Sequence, residues 1–413
     1  MSIYYKRSNC RYCSSKDLKL FFSLGDQPPS NSFISKKQIK LEKKFPLRLY
    51  VCRKCYLVQL LDVVSGKKIF DKYSYLSSSS KALVEHFQKF TQNIEKRFKL
   101  KNEDLLVDIG CNDGIMLDAY TVNSKKIGIE PSDVSKIAKK KGHIIYNDFF
   151  NIQTANKIRN KYGAAKIVTA TNVFAHIDDM HSVLRGVNRL IDKDGIFIVE
   201  VSYLPDLIDQ NLFDTVYHEH LCYLSLFPLN KFLTKFKMEV FDVKRKKVGA
   251  SGPSITFYIK KKINKRKVFL SVRNLNNYEK NWGINKLKKY LNFEKKIKSN
   301  KIKTLKLISL IKKNGNKLFC FGAPAKGNTL LNYYNLNSDI IDFVSDNSIT
   351  KQGKYTPGSR IKIVSDEFIL KKNYKYALLL SWNYKEFFLK NSKFIKNGGK
   401  FIVPLPYLKI IPK

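Results

Sequence analysis

Short apolar runs recur along the chain, and the stretches between them have the apolar spacing of helices. One series of buried-strand patterns lies at residues 104–109, 126–129, 144–146, 166–170 and 196–200. A second series lies at 316–321, 340–344 and 376–381. Runs of this length, separated by amphipathic helices and turn residues, are typical of parallel sheets in α/β folds. We therefore predict two Rossmann-like α/β units, at residues 71–245 and 315–413.

The remaining segments have weaker patterns. Residues 1–70 contain Pro28-Pro29 and alternating apolar positions, which favour a small irregular β module. Residues 246–314 begin with strand-like patterns and continue with apolar residues at helical spacing, from Leu287 to Ile311. We interpret this stretch as linking strands followed by one or two amphipathic helices. The predicted fold class is α/β, with a small module before the two larger units.

Four of the seven cysteines form two C-x-x-C pairs, Cys10 with Cys13 and Cys52 with Cys55. Two such pairs supply the four thiolates that structural zinc prefers, and four thiolates leave no open position for water. Chance pairing or redox chemistry is the alternative. We predict structural zinc in the N-terminal module. Cys111, Cys222 and Cys320 are isolated and are interpreted as small buried residues.

The net charge of +43 comes from 77 lysines and arginines against 34 acidic residues. Such a balance can indicate nucleic acid or an anionic membrane surface. The lysines are spread through every segment, however, and an anionic small substrate fits the charge equally well. No apolar run reaches the length of a membrane helix, and the first residues lack the apolar core of a signal peptide. We expect a cytoplasmic monomer without a nucleic-acid or membrane partner.

Each predicted α/β unit has a small-residue turn after its first strand. In the first unit, Asp108-Ile109 leads into Gly110-Cys111-Asn112-Asp113-Gly114, where glycines allow a sharp turn close to a ligand. Glu130 ends the next strand, a position where a carboxylate can accept hydrogen bonds from a ribose. In the second unit, the turn Gly322–Thr329 opens a helix. Its backbone and Lys326 could bind a phosphate.

The stretch Tyr217-His218-Glu219-His220 concentrates groups that transfer protons near neutral pH. Histidines two positions apart do not share a helix face, so the spacing argues against the i, i+4 pair of a zinc-protease helix. A polar structural cluster is the other interpretation. This stretch follows the strand at residues 196–200 within the first α/β unit, where an insertion on the substrate side would face a cofactor.

The first unit resembles class I S-adenosylmethionine-dependent methyltransferases. The resemblance rests on the glycine loop, the acidic strand end, the Asp148-Phe149 segment and the strand that precedes Asn172. It implies that the cofactor is S-adenosylmethionine. It also implies the cofactor-binding residues Asp108, Gly110, Asn112, Gly114, Glu130, Asp148, Phe149 and Asn172.

The order of motifs along the whole chain resembles the sugar C-methyltransferases, which act on nucleotide-linked keto-deoxysugars. The motifs are the cysteine pairs, the glycine loop, Asn172–His176, Phe213–Leu221 and Gly322–Asn328. One departure is Ala250–Ile255, where many members carry a Gly-Gly-Ser-x-Arg-like stretch. The family implies His220 as general base, with Tyr75, His176, Tyr217 and Glu219 around the reacting carbon. It implies a substrate site at Gly322, Lys326, Asn328, Asp346, Gln352 and Lys354.

Two other functions remain open from the sequence. One is a zinc-containing methyltransferase acting on RNA or on an oxygen or nitrogen centre. No Asn-Pro-Pro-Tyr-like amine motif follows the fourth strand of the first unit. The other is a binding module with a degenerate cofactor site, against which the intact loop from Asp108 to Gly114 argues.

Overall fold

The computed structural model describes residues 3–70, 76–246 and 252–412. Tyr75, Ala250 and Ser251 lie outside these ranges, so the predictions made for them concern positions that the structure does not describe. None of the helices in the described ranges is long and apolar enough to cross a membrane.

The N-terminal module is a small antiparallel β structure that ends in a short helix. Its elements are β1 Tyr4–Lys6, β2 Leu18–Gln27, β3 Phe45–Cys52, β4 Val58–Leu60, β5 Asp62–Val64 and α1 Gly66–Phe70. Helix α2, Lys81–Phe98, follows the module and packs against the central sheet. Strands β2, β3 and β4 pair in sequence order, and β1 pairs with β5. The Ser80 side chain accepts a hydrogen bond from Leu83 N and so caps the first turn of α2.

The central unit contains most of the remaining elements. They are β6 Leu105–Ile109, α3 Ile115–Ala119, β7 Lys125–Ile129, α4 Ser135–Lys140, β8 Ile144–Tyr146, α5 Ile152–Tyr162, β9 Ala165–Thr171, α6 Met180–Leu190, β10 Ile191–Ser202, α7 Leu204–Asp209, β11 Cys222–Tyr223, α8 Leu226–Leu233, β12 Met238–Lys246, β13 Ser254–Lys261 and α9 Leu270–Trp282. The long helix α10, Leu287–Lys313, follows and packs against β2 and the C-terminal sheet. Strand β6 buries every side chain and β9 buries most of them, as expected for central strands of a parallel sheet with both faces covered.

The central sheet has seven strands in the order β12-β13-β10-β9-β6-β7-β8. The pairs from β10 to β8 are parallel, whereas β13 is antiparallel to both of its neighbours. The sheet therefore runs past residue 245, where the sequence predicted a boundary, because β13 enters between β10 and β12. An apolar run does not reveal which sheet a strand will join. The arrangement confirms the predicted Rossmann-like core.

The C-terminal unit is a second Rossmann-like sheet, as predicted. Its elements are β14 Leu318–Phe321, α11 Ala325–Tyr334, β15 Val344–Ser345, β16 Ile363–Val364, α12 Asp366–Leu370, β17 Tyr376–Leu379, α13 Lys385–Asn391, α14 Lys393–Lys396, β18 Lys400–Val403 and β19 Lys409–Ile411. The strand order is β16-β15-β14-β17-β18-β19, with β19 antiparallel. The chain goes outward from β14 to β16 and then returns to β17, which makes β14/β17 a topological switch point.

The units share buried contacts and a strand pairing. One apolar cluster joins Phe22 of β2, Phe213 and Phe293 of α10 to the core of the C-terminal sheet. Strand β11 pairs with β4, so the sheet of the N-terminal module has the order β11-β4-β3-β2. This pairing attaches the segment just after His220 to the N-terminal module.

Candidate functional site

The four paired cysteines lie together. Their Sγ atoms are all within 4.8 Å of one another, and the pairs Cys10–Cys55 and Cys13–Cys52 have Sγ–Sγ distances of 3.5 Å. A tetrahedral four-thiolate zinc site requires sulfur separations of about 3.8 Å. The seven cysteines are all free of disulfides. The donor set and its spacing therefore fit a structural zinc ion.

The Tyr217–His220 segment is positioned by elements on both sides. A 3₁₀ turn, Phe213–Thr215, precedes it, and β11 follows it. Leu60 N donates to Leu221 O at 2.9 Å, which fixes the end of the segment against β4. The segment is neither a regular helix nor a strand, so its two histidines point to different surroundings.

His220 has one ring nitrogen engaged by the backbone. Its Nδ1 lies 2.7 Å from the Thr215 carbonyl oxygen, and a carbonyl can only accept, so Nδ1 carries the proton. In the neutral ring, Nε2 then keeps its lone pair. Burial lowers the pKa of His220 to about 4, which leaves the ring neutral at pH 7. The arrangement can accept a proton at Nε2.

Aromatic rings surround His220 in the cleft. His176 stacks on it with ring centroids 5.0 Å apart, and Tyr217 lies at 4.0 Å. Tyr223 of β11 packs edge-on at 6.4 Å. Burial and the neighbouring His220 hold the pKa of His176 well below its usual value, so this ring is neutral as well.

Glu219 and His218 have hydrogen-bond partners in the N-terminal module, whereas His220 contacts the Thr215 carbonyl. Both carboxylate oxygens of Glu219 accept from Asn31 Nδ2, at 2.8 and 3.0 Å. Burial raises the pKa of Glu219 to about 7, and the Asn31 amide opposes that rise. His218 Nε2 donates instead to Phe45 O at 3.3 Å, within the N-terminal module. His218 thus makes an internal structural contact.

The glycine loop after β6 turns through left-handed backbone conformations. Gly110 has a φ of +72°, and a Cβ there would lie 2.6 Å from Val173 Cγ2. Asn112, at φ +51°, donates from its backbone N to Glu130 Oε2 at 3.0 Å. Asp108 is buried beside Thr169, and burial raises its pKa to about 7. The loop therefore gathers carboxylates at the ends of β6 and β7.

The other residues predicted at the cofactor site have mixed placements. Asn172, just after β9, lines two adjoining cavities: a small one at the glycine loop and a larger cleft that contains His220. Gly114, at φ +83°, ends the loop beside His143. Asp148 and Phe149 are exposed, and a Cβ on Gly66 would lie 3.5 Å from the Phe149 ring. Phe149 therefore lies at the junction with the N-terminal module rather than in either cavity's lining.

The turn after β14 surrounds Lys326 with polar and aromatic groups. Lys326 Nζ donates to Asn383 Oδ1 and lies 4.3 Å from the centroid of the Trp382 ring. Trp382 Nε1 donates to Asp214 Oδ2 at 2.7 Å, which links this turn to the 3₁₀ turn before His220. Burial lowers the pKa of Lys326 to about 8, opposed by the Asp214 carboxylate.

A cleft of about 1220 Å³ brings these groups together. Its lining includes the predicted catalytic residues His176, Tyr217, Glu219 and His220, and the predicted substrate residues Lys326, Asp346 and Lys354. A small cavity of about 90 Å³ holds Asp108, Gly110 and Asn112, and shares Leu83 and Asn172 with the cleft. The small cavity and the cleft therefore adjoin at Leu83 and Asn172.

Three predicted substrate residues do not line the cleft. Asn328 is fully buried, and its Nδ2 donates to Ser30 O at 2.7 Å. Gln352 donates to the backbone of Asp346 at 3.0 Å. Gly322 has a φ of +83°, and a Cβ there would collide with Ser381 Oγ, so it shapes the turn.

Sequence patterns alone did not single out several residues of the cleft. They are Asn31, Tyr223, Lys351 and Asn383. Lys351 is next to Gln352 in sequence and forms an ion pair with Asp346 at 3.5 Å. Both of these residues were predicted to bind substrate, so the prediction indicated the right loop. Asn31 follows Pro28-Pro29 far from the catalytic segment in sequence, and no local pattern indicates its contact with Glu219.

Family models match three consecutive parts of the chain. They are a zinc binding domain at residues 10–70, a methyltransferase domain at 83–242 and a C-methyltransferase C-terminal domain at 249–406. The C-methyltransferase NovU of Streptomyces niveus is 32% identical over 406 residues, which cover 97% of this chain and 96% of NovU. The chain belongs to the C-methyltransferase family.

Solved structures match the central part of this C-methyltransferase. An S-adenosylmethionine-dependent methyltransferase from Clostridium acetobutylicum ATCC 824 is 14% identical, with a TM-score of 0.34, and the match covers 43% of this chain and 92% of that one. Magnesium protoporphyrin IX methyltransferase from Synechocystis PCC 6803, solved with S-adenosylhomocysteine, is 12% identical with a TM-score of 0.34, covering 47% and 91%.

This C-methyltransferase depends on S-adenosylmethionine, and its loop after β6 has the chemistry to hold that cofactor. A Cβ on Gly110 would fill the space beside Val173, and one oxygen of the buried Asp113 carboxylate has no partner among the described residues. The cofactor carries a sulfonium and an ammonium group, which buried carboxylates favour. The N-terminal module of the enzyme is a zinc-binding domain, in agreement with its four clustered cysteines.

Proposed function

We propose that the enzyme transfers a methyl group to a carbon next to the ketone of a nucleotide-linked keto-deoxysugar, such as a deoxythymidine diphosphate sugar. The observation that supports this most is that neutral His220 lines the same cleft as Lys326, Lys351 and Lys354 of the C-terminal unit. A ketone acidifies the hydrogen on the adjacent carbon, and a diphosphate requires cations.

His220 is the proposed base. Its Nε2 takes the proton from the carbon beside the ketone, and the electron pair of that C–H bond forms the enolate. The Thr215 carbonyl keeps the ring in the tautomer that can accept at Nε2. When bound, S-adenosylmethionine supplies an electrophilic methyl group and leaves as the neutral thioether. The ketone re-forms as the carbon gains its new bond.

The residues around His220 are proposed to stabilise the negative charge that develops on the enolate oxygen. Tyr217 lines the cleft, and a phenol there can donate to an enolate oxygen. The neutral His176 ring packs against His220 and keeps it in place. Tyr75 has the same proposed donor role by family resemblance, at a position that the structure does not describe.

The C-terminal unit is proposed to hold the diphosphate. Lys326 lies in the first turn of α11, and Pro324, Ala325 and Lys326 at the start of this helix line the cleft. Lys351 and Lys354 lie on the opposite loop, after β15. Asp346 accepts from Ala323 N at 2.8 Å and is proposed to lie near the nucleoside.

The direct test is product analysis. The purified enzyme is incubated with S-adenosylmethionine and a panel of nucleotide-linked keto sugars and matched non-keto sugars, and products are examined by mass spectrometry. A mass gain of one methyl group, retained on carbon after mild hydrolysis, is expected with a keto sugar alone. Methylation of non-keto sugars, or of oxygen, would contradict the proposal.

A further inference from the structure

The side chain of Asn31 meets the catalytic segment from outside the central unit. It belongs to the loop between β2 and β3, in the same module as the zinc-binding cysteines. Its Nδ2 lies 2.8 and 3.0 Å from the two oxygens of Glu219. Glu219 is only 4% exposed, and no ion pair reaches it among the residues that the structure describes. The amide therefore meets a carboxylate that has little other polar support.

The loop that carries Asn31 is held by the C-terminal unit. Asn328 Nδ2 donates to Ser30 O at 2.7 Å, and Ser30 Oγ lies 3.1 Å from Thr329 Oγ1. Three residues later, Ile34 and Tyr355 exchange backbone hydrogen bonds at 2.8 and 3.2 Å. Asn328 and Thr329 lie in α11, the helix that also carries Lys326. The position of Asn31 is thus set by the helix proposed to bind the diphosphate.

The hydrogen-bonding chemistry is directional. An amide NH₂ group can only donate, and a carboxylate with both oxygens facing one donor is held in its ionised, acceptor form. A protonated carboxyl would direct its own proton at a donor or leave it unpaired in a buried site. Asn31 therefore selects one protonation state and one orientation of Glu219.

We propose that Asn31 is a positioning residue of the methyl-transfer site, which favours the ionised form of Glu219, fixes its orientation in the cleft and is itself held in place by α11. The N-terminal module thereby contributes to the chemistry, in addition to binding zinc. Asn328, predicted from the sequence to bind substrate, acts in this arrangement through Ser30 and Asn31. This inference rests on the proposed function only in taking Glu219 as part of the catalytic site.

Isotope-edited infrared spectroscopy tests the contact without any substrate. The zinc-loaded enzyme is labelled with ¹³C-carboxyl glutamate, and the Glu219 band is identified by subtracting the spectrum of Glu219→Gln. Loss of one hydrogen bond to a charged group corresponds to about one to two pH units. We therefore expect Asn31→Ala to raise the titration midpoint of Glu219 by that amount. An unchanged midpoint would overturn the proposal.

Two further variants guard against a trivial result. Asn31→Asp keeps the size of the side chain but replaces the donor with a second carboxylate, so the midpoint should rise at least as far, even if Asn31→Ala does not fold. Lys37→Ala changes an exposed residue of the same loop and should leave the midpoint unchanged. Zinc content and S-adenosylmethionine binding, measured for every variant, should match the wild type.

Turnover separates this inference from the proposed function. With a sugar that the wild type methylates, Asn31→Ala should lower kcat at least tenfold while KM changes less than twofold. A shifted midpoint with unchanged kcat would overturn the positioning role. If no sugar in the panel is methylated by the wild type, the proposed function fails, and the infrared result still decides whether Asn31 controls Glu219.

Discussion

The two Rossmann-like sheets have the same turn geometry after their first strand, but the charged side chains around the two turns have opposite sign. In each, the first strand ends in a turn with a left-handed glycine, Gly110 or Gly322. In each, a carboxylate at the end of the second strand accepts from the backbone of that turn. Glu130 accepts from Asn112 N at 3.0 Å, and Asp346 accepts from Ala323 N at 2.8 Å. The shared geometry follows from the switch point, where neighbouring loops diverge and leave a crevice.

The difference lies in what surrounds each turn. The central turn is lined by buried carboxylates, Asp108 and Asp113, which favour a cationic ligand. The C-terminal turn carries Lys326 and faces Lys351, which favour an anionic one. Fold alone does not distinguish the two sites, whereas the sign of the local charge does. We therefore expect the cofactor to bind at the central turn and the proposed substrate diphosphate to bind at the C-terminal turn.

The largest expected effect comes from the segment between the two turns. His220→Ala should lower kcat by about 10²–10⁴-fold, since it removes the proposed base. Neither turn is altered, so S-adenosylmethionine affinity, measured by calorimetry, and the substrate KM should stay close to wild type. Full turnover in His220→Ala would remove His220 from the base role, and loss in Glu219→Ala alone would transfer that role to Glu219.

The C-terminal turn is tested by Lys326→Ala. Charge-assisted hydrogen bonds contribute about 1.5–3 kcal/mol, so the substrate KM should rise by about 10–100-fold. S-adenosylmethionine affinity should not change, because the lysine lies in the other sheet. Lys317→Ala, which removes a lysine just before β14, is the matched control for loss of charge. An equal effect of both variants would contradict a specific role for Lys326.

The central turn is tested by Gly110→Ala. An alanine there must adopt a positive φ, at about 1–2 kcal/mol, and must also displace Val173. We expect S-adenosylmethionine affinity to fall about tenfold, with substrate binding retained. Gly142→Ala imposes a similar φ, +89°, where nothing lies within 4 Å of the new Cβ. That control should lose stability in thermal unfolding but keep its cofactor affinity.

The two turns should also respond to pH in opposite directions. Burial raises the pKa of Asp108 to about 7, so cofactor affinity should fall as pH decreases through 7 and Asp108 becomes neutral. Burial lowers the pKa of Lys326 to about 8, so the substrate KM should rise as pH increases through 8. Cofactor affinity at one pH unit below the pKa of Asp108, and substrate KM at one pH unit above the pKa of Lys326, should each have changed by about tenfold.

Substitutions that remove each titration provide the control for these pH profiles. Asp108→Asn should abolish the acidic fall in cofactor affinity. Lys326→Arg should abolish the alkaline rise in KM, since the guanidinium stays charged throughout the range. A profile that is unchanged in either variant would assign the pH dependence to another group.

Local patterns in the sequence were sufficient for several features. The C-x-x-C pairs predicted the cysteine cluster, because each pair brings two thiolates together within a single turn. The strand-then-glycine patterns predicted both Rossmann-like sheets, because a buried strand followed by a left-handed turn is a local property of the chain. The left-handed turns at Gly110 and Gly322 were therefore predictable without knowledge of the tertiary structure.

Contacts between distant segments were decided only by the tertiary structure. The amide of Asn31 reaches Glu219, β13 enters the central sheet beyond residue 245, and Asn328 binds Ser30 instead of facing the cleft. His218 and His220 have nearly the same local sequence context, yet one contacts Phe45 and the other Thr215. The physical reason is that sequence periodicity encodes which residues are buried, whereas packing between units determines which buried polar groups become partners.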